Sequence, residues 1–260
     1  MSLIHKTAIV SEDANIADSV SVGPYSIIGP EVAIGESSVI DSHVVIKGKT
    51  TIGSENRIYS FASIGDDPQD KKYDNEDTAV EIGNKNTIRE YTTINKGTIQ
   101  DAGTTRLGNN NWLMAYVHIA HDCQVGSNTI FANNTTLAGH VIVGDYVIFG
   151  GFSGAHQFCK IGAHSFLGMY SGIARDLPPY VIVMGQPAEP RGINLEGLKR
   201  RDFNSDQIRN IKTAYKYLYM SELRLEEAIS RIHTIDDIAG EITTLVEFLK
   251  DATRGIVRKN

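Results

Sequence analysis

The sequence predicts a mainly β chain: a parallel β-helix built of hexapeptides over about residues 1–190, then a C-terminal α-helical domain over 191–260. Two periodicities and their failure predict it. Aliphatic residues fall every six positions from Ile4 through Val10, Ile16, Val22, Ile28, Ile34, Ile40, Ile46, Ile52 and Ile58 to Ile64. The beat resumes at Ile82, Ile88 and Ile94, then runs from Leu107 through Leu113, Ile119, Val125, Phe131, Leu137, Val143, Phe149, Ala155, Ile161 and Leu167 to Ile173. Leu107-Gly108, Val125-Gly126, Val143-Gly144 and Ile161-Gly162 return every 18 residues, and the beat stops at Asp176-Leu177-Pro178-Pro179.

Six residues turn an α-helix by about 600°, so a six-residue apolar repeat would wander around its axis. A triangular coil keeps the repeat aimed inward: each hexapeptide is one side, and three sides make a turn. Stacked turns stand about 4.8 Å apart, and backbone groups pair with the turns above and below. Glycine after the inward residue suits a sharply bent corner, and Asn86, Asn110 and Asn128 suit left-handed corner geometry.

Two interruptions predict extruded loops. An uninterrupted coil from Ile64 to Ile82 would bury Asp70 and Glu76, each unpaired carboxylate costing several kcal/mol; residues 66–81 are therefore expected to leave the coil. Ile94 to Leu107 is one residue out of register, which places a second loop at 96–106. Loops on a rigid solenoid are common sites of function. Beyond the coil, Ser205 is expected to cap a helix to about Met220, with amphipathic segments near 223–233 and 235–251 closing the open end.

Composition narrows the class. A formal charge of −6 argues against nucleic-acid binding and anionic membranes. No run of 18 apolar residues predicts membrane insertion, and the start lacks the apolar region of a secretory signal. Only Cys123 and Cys159 occur. They stand two turns apart, about 9.6 Å, beyond disulfide reach, so a cytoplasmic protein with small buried thiols is expected.

Stacking at 18 residues sets His121, Gly139 and Gln157 in one column, with His140 and His156 one position to either side and His118 three residues before His121. Imidazoles gathered beside a bare glycine suit acid–base chemistry. Zinc binding is the competing chemistry, but these histidines lack the two ligands five apart of zinc enzymes on this coil. No metal is expected. A non-catalytic binding solenoid is the alternative of another class.

The segments His118-Ile119-Ala120-His121-Asp122-Cys123, Ala138-Gly139-His140, His156-Gln157-Phe158-Cys159, Gln69-Asp70-x-Lys72 and Gly192 to Arg201 resemble, over essentially the whole chain, the UDP-N-acetylglucosamine 3-O-acyltransferases of lipid A synthesis. The resemblance implies a left-handed coil and a homotrimer with active sites between subunits. It implies His121 as general base, Asp122 as its orienting partner and the Gly139 N–H as oxyanion donor. His118, His140, His156 and Gln157 would position sugar and acyl groups, with Asp70, Lys72, Asn194, Glu196 and Arg200 on the sugar nucleotide. The donor would be a 3-hydroxyacyl chain on acyl carrier protein, whose phosphopantetheine arm is the only prosthetic group involved. Lys199, Arg201 and Arg209 add basic surface for carrier protein or nucleotide.

Two departures stand out. Asn95-Lys96-Gly97-Thr98 replaces a His-Arg-Gly-Thr common in the family, and Met169 stands where members using longer chains carry glycine. A thioether there should shorten the acyl groove, so a donor shorter than hydroxymyristoyl is expected. The related N-acyltransferase carries an extra N-terminal uridine-binding domain, for which repeats starting at Ile4 leave no room. A CoA-dependent acetyl- or succinyltransferase is the remaining enzyme alternative.

Overall fold

The structure, a computed structural model, describes residues 3–258. Among these residues most coil strands are two residues long and join three sheets of nine, eight and ten strands, parallel but for one terminal strand, one sheet per side of a triangular prism. The register steps by 18: Trp112 pairs with Ile130, Ile130 with Ile148 and Ile148 with Phe166. Inward residues such as Ile46, Ile64, Leu113, Ile119 and Leu167 are fully buried, and Phe131 stacks on Phe149 at 4.6 Å in the interior.

The corners correct one expectation. The glycines after inward positions do not make the bend. Gly108 and Gly144 have ordinary φ, but a Cβ on either would lie 2.6 Å or 2.7 Å from the backbone of the next turn. They are glycines because neighbouring turns pass too close for a side chain. At most corners the bend falls three residues before the inward position, on residues in the left-handed region, among them Tyr25, His43, Phe61, Tyr91, Tyr116, Asp122, His140 and Phe158. Left-handed geometry costs a non-glycine residue roughly 1–2 kcal/mol, and here it stacks corner side chains turn upon turn. Rings of Tyr25, His43, Phe61, Tyr91 and Tyr116 form a continuous ladder with centroids 4.8–5.2 Å apart, and such contacts return about 0.5–1.5 kcal/mol each. Asn110 and Asn128 are corners, as expected, but Asn86 is not: Lys85 takes that bend. Asn86 is buried between Asn56 and Asn111, its amide linking three turns by hydrogen bonds of 2.9–3.0 Å.

Both loops are shorter than expected. Ser63–Asp66 and Ala79–Ile82 are strands, so 67–78 leaves the coil; Thr104–Leu107 is a strand, so the second loop is 96–103. Val80 and Thr105 are buried in paired strands. The coil also outlasts its beat. Leu177 and Val183, six apart and fully buried, continue the core, but Leu177 bridges Ile161 only 16 residues back, which breaks an 18-residue count. Val181–Met184 extends one sheet in parallel, and Glu189–Ile193 adds an antiparallel strand across the boundary expected at 190.

Among the described residues four helices follow: α1 (Leu195–Lys199), α2 (Ser205–Tyr219), α3 (Leu225–Ile232) and α4 (Glu241–Lys250). Asn204 rather than Ser205 caps α2, in a reciprocal box with Gln207. Ile211, Ala214, Leu218, Ala228, Ile232 and Leu245 form a second core. Val257 and Lys160 fasten this unit to the coil, through the Asp176 carbonyl and the Asp251 carboxylate respectively. No helix among the described residues is long and apolar enough to cross a membrane. Because the coil core is one filled column, Phe131→Ala should lower stability by about 3–5 kcal/mol, read as a fall in the denaturant midpoint; an unchanged midpoint would contradict the packed interior.

Candidate active site

The strand His118–Ile119 ends two residues before His121, and Asp122 takes the corner with φ 59°. Consecutive side chains on a strand point apart; the left-handed residue turns these two together, with His121 Nδ1 2.9 Å from Asp122 Oδ2. The carboxylate is fully buried, and the loop 96–103 reaches down to it. Thr98 donates its N–H to both oxygens at 3.0 Å and its hydroxyl to Oδ2 at 2.7 Å, while the N–H of Asp122 donates to Thr105 Oγ1. Burial pushes the Asp122 carboxyl up, but the hydrogen bonds from His121 and Thr98 outweigh it and hold the group below its ordinary 3.8. An ionised carboxylate only accepts, so Nδ1 of His121 carries the proton and Nε2 keeps a lone pair. This is the tautomer of a general base.

Gly139 lies against that ring. A Cβ there would stand 2.5 Å from Cε1 and 2.6 Å from Nε2 of His121, so any side chain would displace it. Among the described hydrogen bonds, the Gly139 N–H donates to none. His140 crosses His121 edge to face at 4.9 Å and stacks on Phe158 at 4.3 Å. His118 Nδ1 meets Thr93 Oγ1 at 2.7 Å; burial and then the neighbouring His121 hold His118 below its ordinary pKa, hence neutral at pH 7. His156 and Gln157 are exposed. His156 lines an open groove of about 640 Å³ with Phe152, Tyr170 and Gln186. The register His118, Thr136, Gly154, Gly172 makes one wall of small side chains rising from the histidines.

The other expected site residues are placed apart from this cluster, with no hydrogen bond or ion pair to it among the described residues. Asp70 accepts the backbone N–H of Lys72 on the first loop. Asn194 is buried as the cap of α1, accepting from the Gly197 N–H and donating to the His164 carbonyl. Glu196 pairs with Lys199 at 3.5 Å, and Arg200 is exposed. Arg201 lies over Tyr146, beside His164, which burial and the Arg201 charge push down to about 4. Met169 is 60% exposed, next to the groove residue Tyr170. Asn95 donates to the Asp67 carbonyl at 2.7 Å, and Lys96 reaches Asp67 and Tyr73, bracing the two loops together. Cys123 and Cys159 are buried and unpaired; burial pushes their thiols up to about 12 and about 11.

Sequence reasoning missed Thr98, Thr105 and Asp101. The signal was present: Ile94 and Ile119 pair at a separation of 25, one turn plus seven, which carries the loop beneath His121. His121, Asp122 and His140 also offer donor atoms within 4.8 Å of one another, a metal-sized cluster. Both Nδ1 atoms lie within hydrogen-bond distance of carboxylates, and a metal on either would need that nitrogen free of its proton.

A family signature described as UDP-N-acetylglucosamine O-acyltransferase, domain 2, matches residues 176–257, and the bacterial transferase hexapeptide signature matches 104–139. The acyl-[acyl-carrier-protein]–UDP-N-acetylglucosamine O-acyltransferase of Herminiimonas arsenicoxydans is 55% identical, the match covering 99% of this chain and 100% of that one. The chain belongs to this family. The enzyme of the same name from Thiobacillus denitrificans is 54% identical, with the same coverage. The crystal structure of UDP-N-acetylglucosamine O-acyltransferase from Moraxella catarrhalis superposes with a TM-score of 0.96 at 45% identity, covering 98% of this chain and 100% of that one. The Arabidopsis UDP-N-acetylglucosamine acyltransferase gives 0.85 at 34%, covering 98% and 99%. The coil is the left-handed parallel β-helix of these O-acyltransferases.

The Asp122 carboxyl has a lower pKa folded than unfolded, so its contribution to stability is complete above about pH 4 and is lost as pH falls through the folded value. Thr98→Val removes one donor. It should cost about 1.5–3 kcal/mol at pH 7 and move the acid-unfolding midpoint upward, with Thr98→Ser close to wild type; an unmoved acid limb would contradict the role given to Thr98.

Proposed function

We propose that the protein transfers a 3-hydroxyacyl group from acyl carrier protein to the 3-hydroxyl of UDP-N-acetylglucosamine, the entry step of lipid A synthesis, with His121 as general base. The observation that carries this reading is the His121–Asp122–Thr98 chain held against the bare backbone of Gly139. Nε2 of His121 takes the proton of the sugar hydroxyl as its oxygen attacks the thioester carbonyl. The imidazolium is stabilised by Asp122, and the tetrahedral oxyanion is met by the Gly139 N–H. Collapse expels the phosphopantetheine thiolate, which the imidazolium protonates, returning His121 to its starting state.

The furrow of Thr136, Gly154 and Gly172 above His118 offers the acyl chain a smooth path. His118, His140, His156 and Gln157 position the sugar and the hydroxyacyl head. Met169 shortens that path, giving a donor shorter than hydroxymyristoyl. Asp70 and Lys72 serve the sugar and phosphates, Asn194, Glu196 and Arg200 the nucleotide, and Lys199 and Arg201 the nucleotide or carrier protein. Their separation from His121 within one chain favours a homotrimer in which these groups come from neighbouring subunits, and the exposed Trp112, Ile130, Ile142 and Phe152 supply apolar surface for it. Acyl carrier protein as donor and two unpaired buried thiols favour the cytoplasm.

Purified protein incubated with UDP-N-acetylglucosamine and hydroxyacyl carrier proteins of graded length should yield the O-acylated sugar nucleotide by mass spectrometry. His121→Ala should bind the sugar nucleotide without turnover, and Met169→Gly should shift preference toward longer chains. Turnover by His121→Ala, or transfer only from acyl-CoA, would overturn the assignment; unchanged chain preference would remove Met169 from it.

A further inference from the structure

The loop 96–103 delivers a second carboxylate to the site. Asp101 Oδ2 lies 2.8 Å from His140 Nδ1. Asp122 Oδ2 lies 3.8 Å from the same atom and is already committed to His121 and Thr98. The His140 ring is stacked on Phe158 and crossed by the edge contact with His121, and its side chain is only 8% exposed although Asp101 is half open to solvent. The charged or titratable groups facing this ring are thus Asp101, Asp122 and His121. Of them, only Asp101 is within hydrogen-bond distance of it.

We infer that Asp101 is a positioning residue: it accepts the Nδ1–H of His140 and so fixes that imidazole with its Nε2 lone pair directed at substrate, forming a second His–carboxylate pair beside His121–Asp122. The inference rests on the acyl-transfer reading for its kinetic consequence but not for its structural one. Which nitrogen of an imidazole carries the proton is set by the hydrogen bond the other makes. Stacking on Phe158 fixes the plane of the ring but leaves it free to flip within that plane, and a flip would exchange Nδ1 for a carbon. Asp101 removes that freedom. A neutral His140 held this way presents an acceptor to a substrate hydroxyl or amide; a flipped or mixed population presents a donor or a C–H half of the time.

The loop therefore does two jobs from one insertion. Thr98 anchors the carboxylate behind the base, and Asp101, three residues on, anchors the neighbouring ring. Gly97 permits this path, since a Cβ there would lie 2.3 Å from the Gly103 and Thr104 backbones. Lys96, braced by Asp67 and Tyr73 of the other loop, holds the base of the excursion.

The test uses the full-length protein and two readouts. In two-bond ¹⁵N–¹H spectra of labelled wild-type protein, His140, assigned by its loss in His140→Gln, should show the Nδ1–H tautomer at pH 8. Asp101→Asn and Asp101→Ala should convert it to a mixed population without moving the thermal midpoint, because Asp101 is half exposed. In the transfer assay both variants should lose roughly 10-fold in kcat/KM, as loss of an orienting partner commonly does, and Asp101→Glu should recover most of it. A His140 tautomer unchanged in Asp101→Ala would overturn the inference, as would kcat/KM within twofold of wild type. A wild-type enzyme that fails to turn over would sink the acyl-transfer reading instead, and the spectra would still decide the tautomer.

Discussion

One backbone constraint organises this molecule: a bend in left-handed geometry three residues before most inward positions from Ile28 onward. It closes each side of the triangle within six residues, aims one side chain at the axis and brings corner side chains into vertical register. The strain at each corner is compensated collectively, by parallel hydrogen bonding between turns, by rings stacked along the edges and by a continuous aliphatic column inside. A solenoid held this way is rigid, and rigidity is what a site assembled from three successive turns requires.

The chemistry is a consequence of the same bend. At Asp122 it turns two neighbours toward each other, and Gly139, one turn on, lies against the His121 ring. A histidine on a straight strand would have faced solvent with its neighbour on the opposite side. The carboxylate is then buried where hydrogen bonds from His121 and from the N–H and hydroxyl of Thr98 hold it ionised, so burial does not neutralise the pair. The structure takes those donors from an inserted loop, the one place where the coil is free to depart from its own geometry.

This division explains what could be read in advance. The coil, its inward column and the column of His121, Gly139 and Gln157 follow from counting, because stacking converts a sequence interval of 18 into contact. The His121–Asp122 pair came from the family resemblance and not from counting, since strand alternation argues against neighbours meeting and the bend that unites them falls on aspartate rather than glycine. Glycines after the inward positions misled for the mirror reason: they mark close approach between turns, whereas aromatic, charged and asparagine residues make most of the bends. Thr98 and Asp101 were hidden by an interval of 25, and Leu177 and Val183 by one of 16. The extra-coil helices offered only ordinary amphipathic spacing, enough to place α2 but not the short α1 or the cap at Asn204.

The central claim is that a corner bend creates a working base by pairing His121 with an ionised Asp122. Asp122→Asn tests it most directly, because asparagine tolerates the same left-handed backbone while losing the negative charge. The account predicts a turnover number reduced by roughly 10²–10⁴ with the affinity for UDP-N-acetylglucosamine unchanged. Turnover within a few-fold of wild type would contradict it.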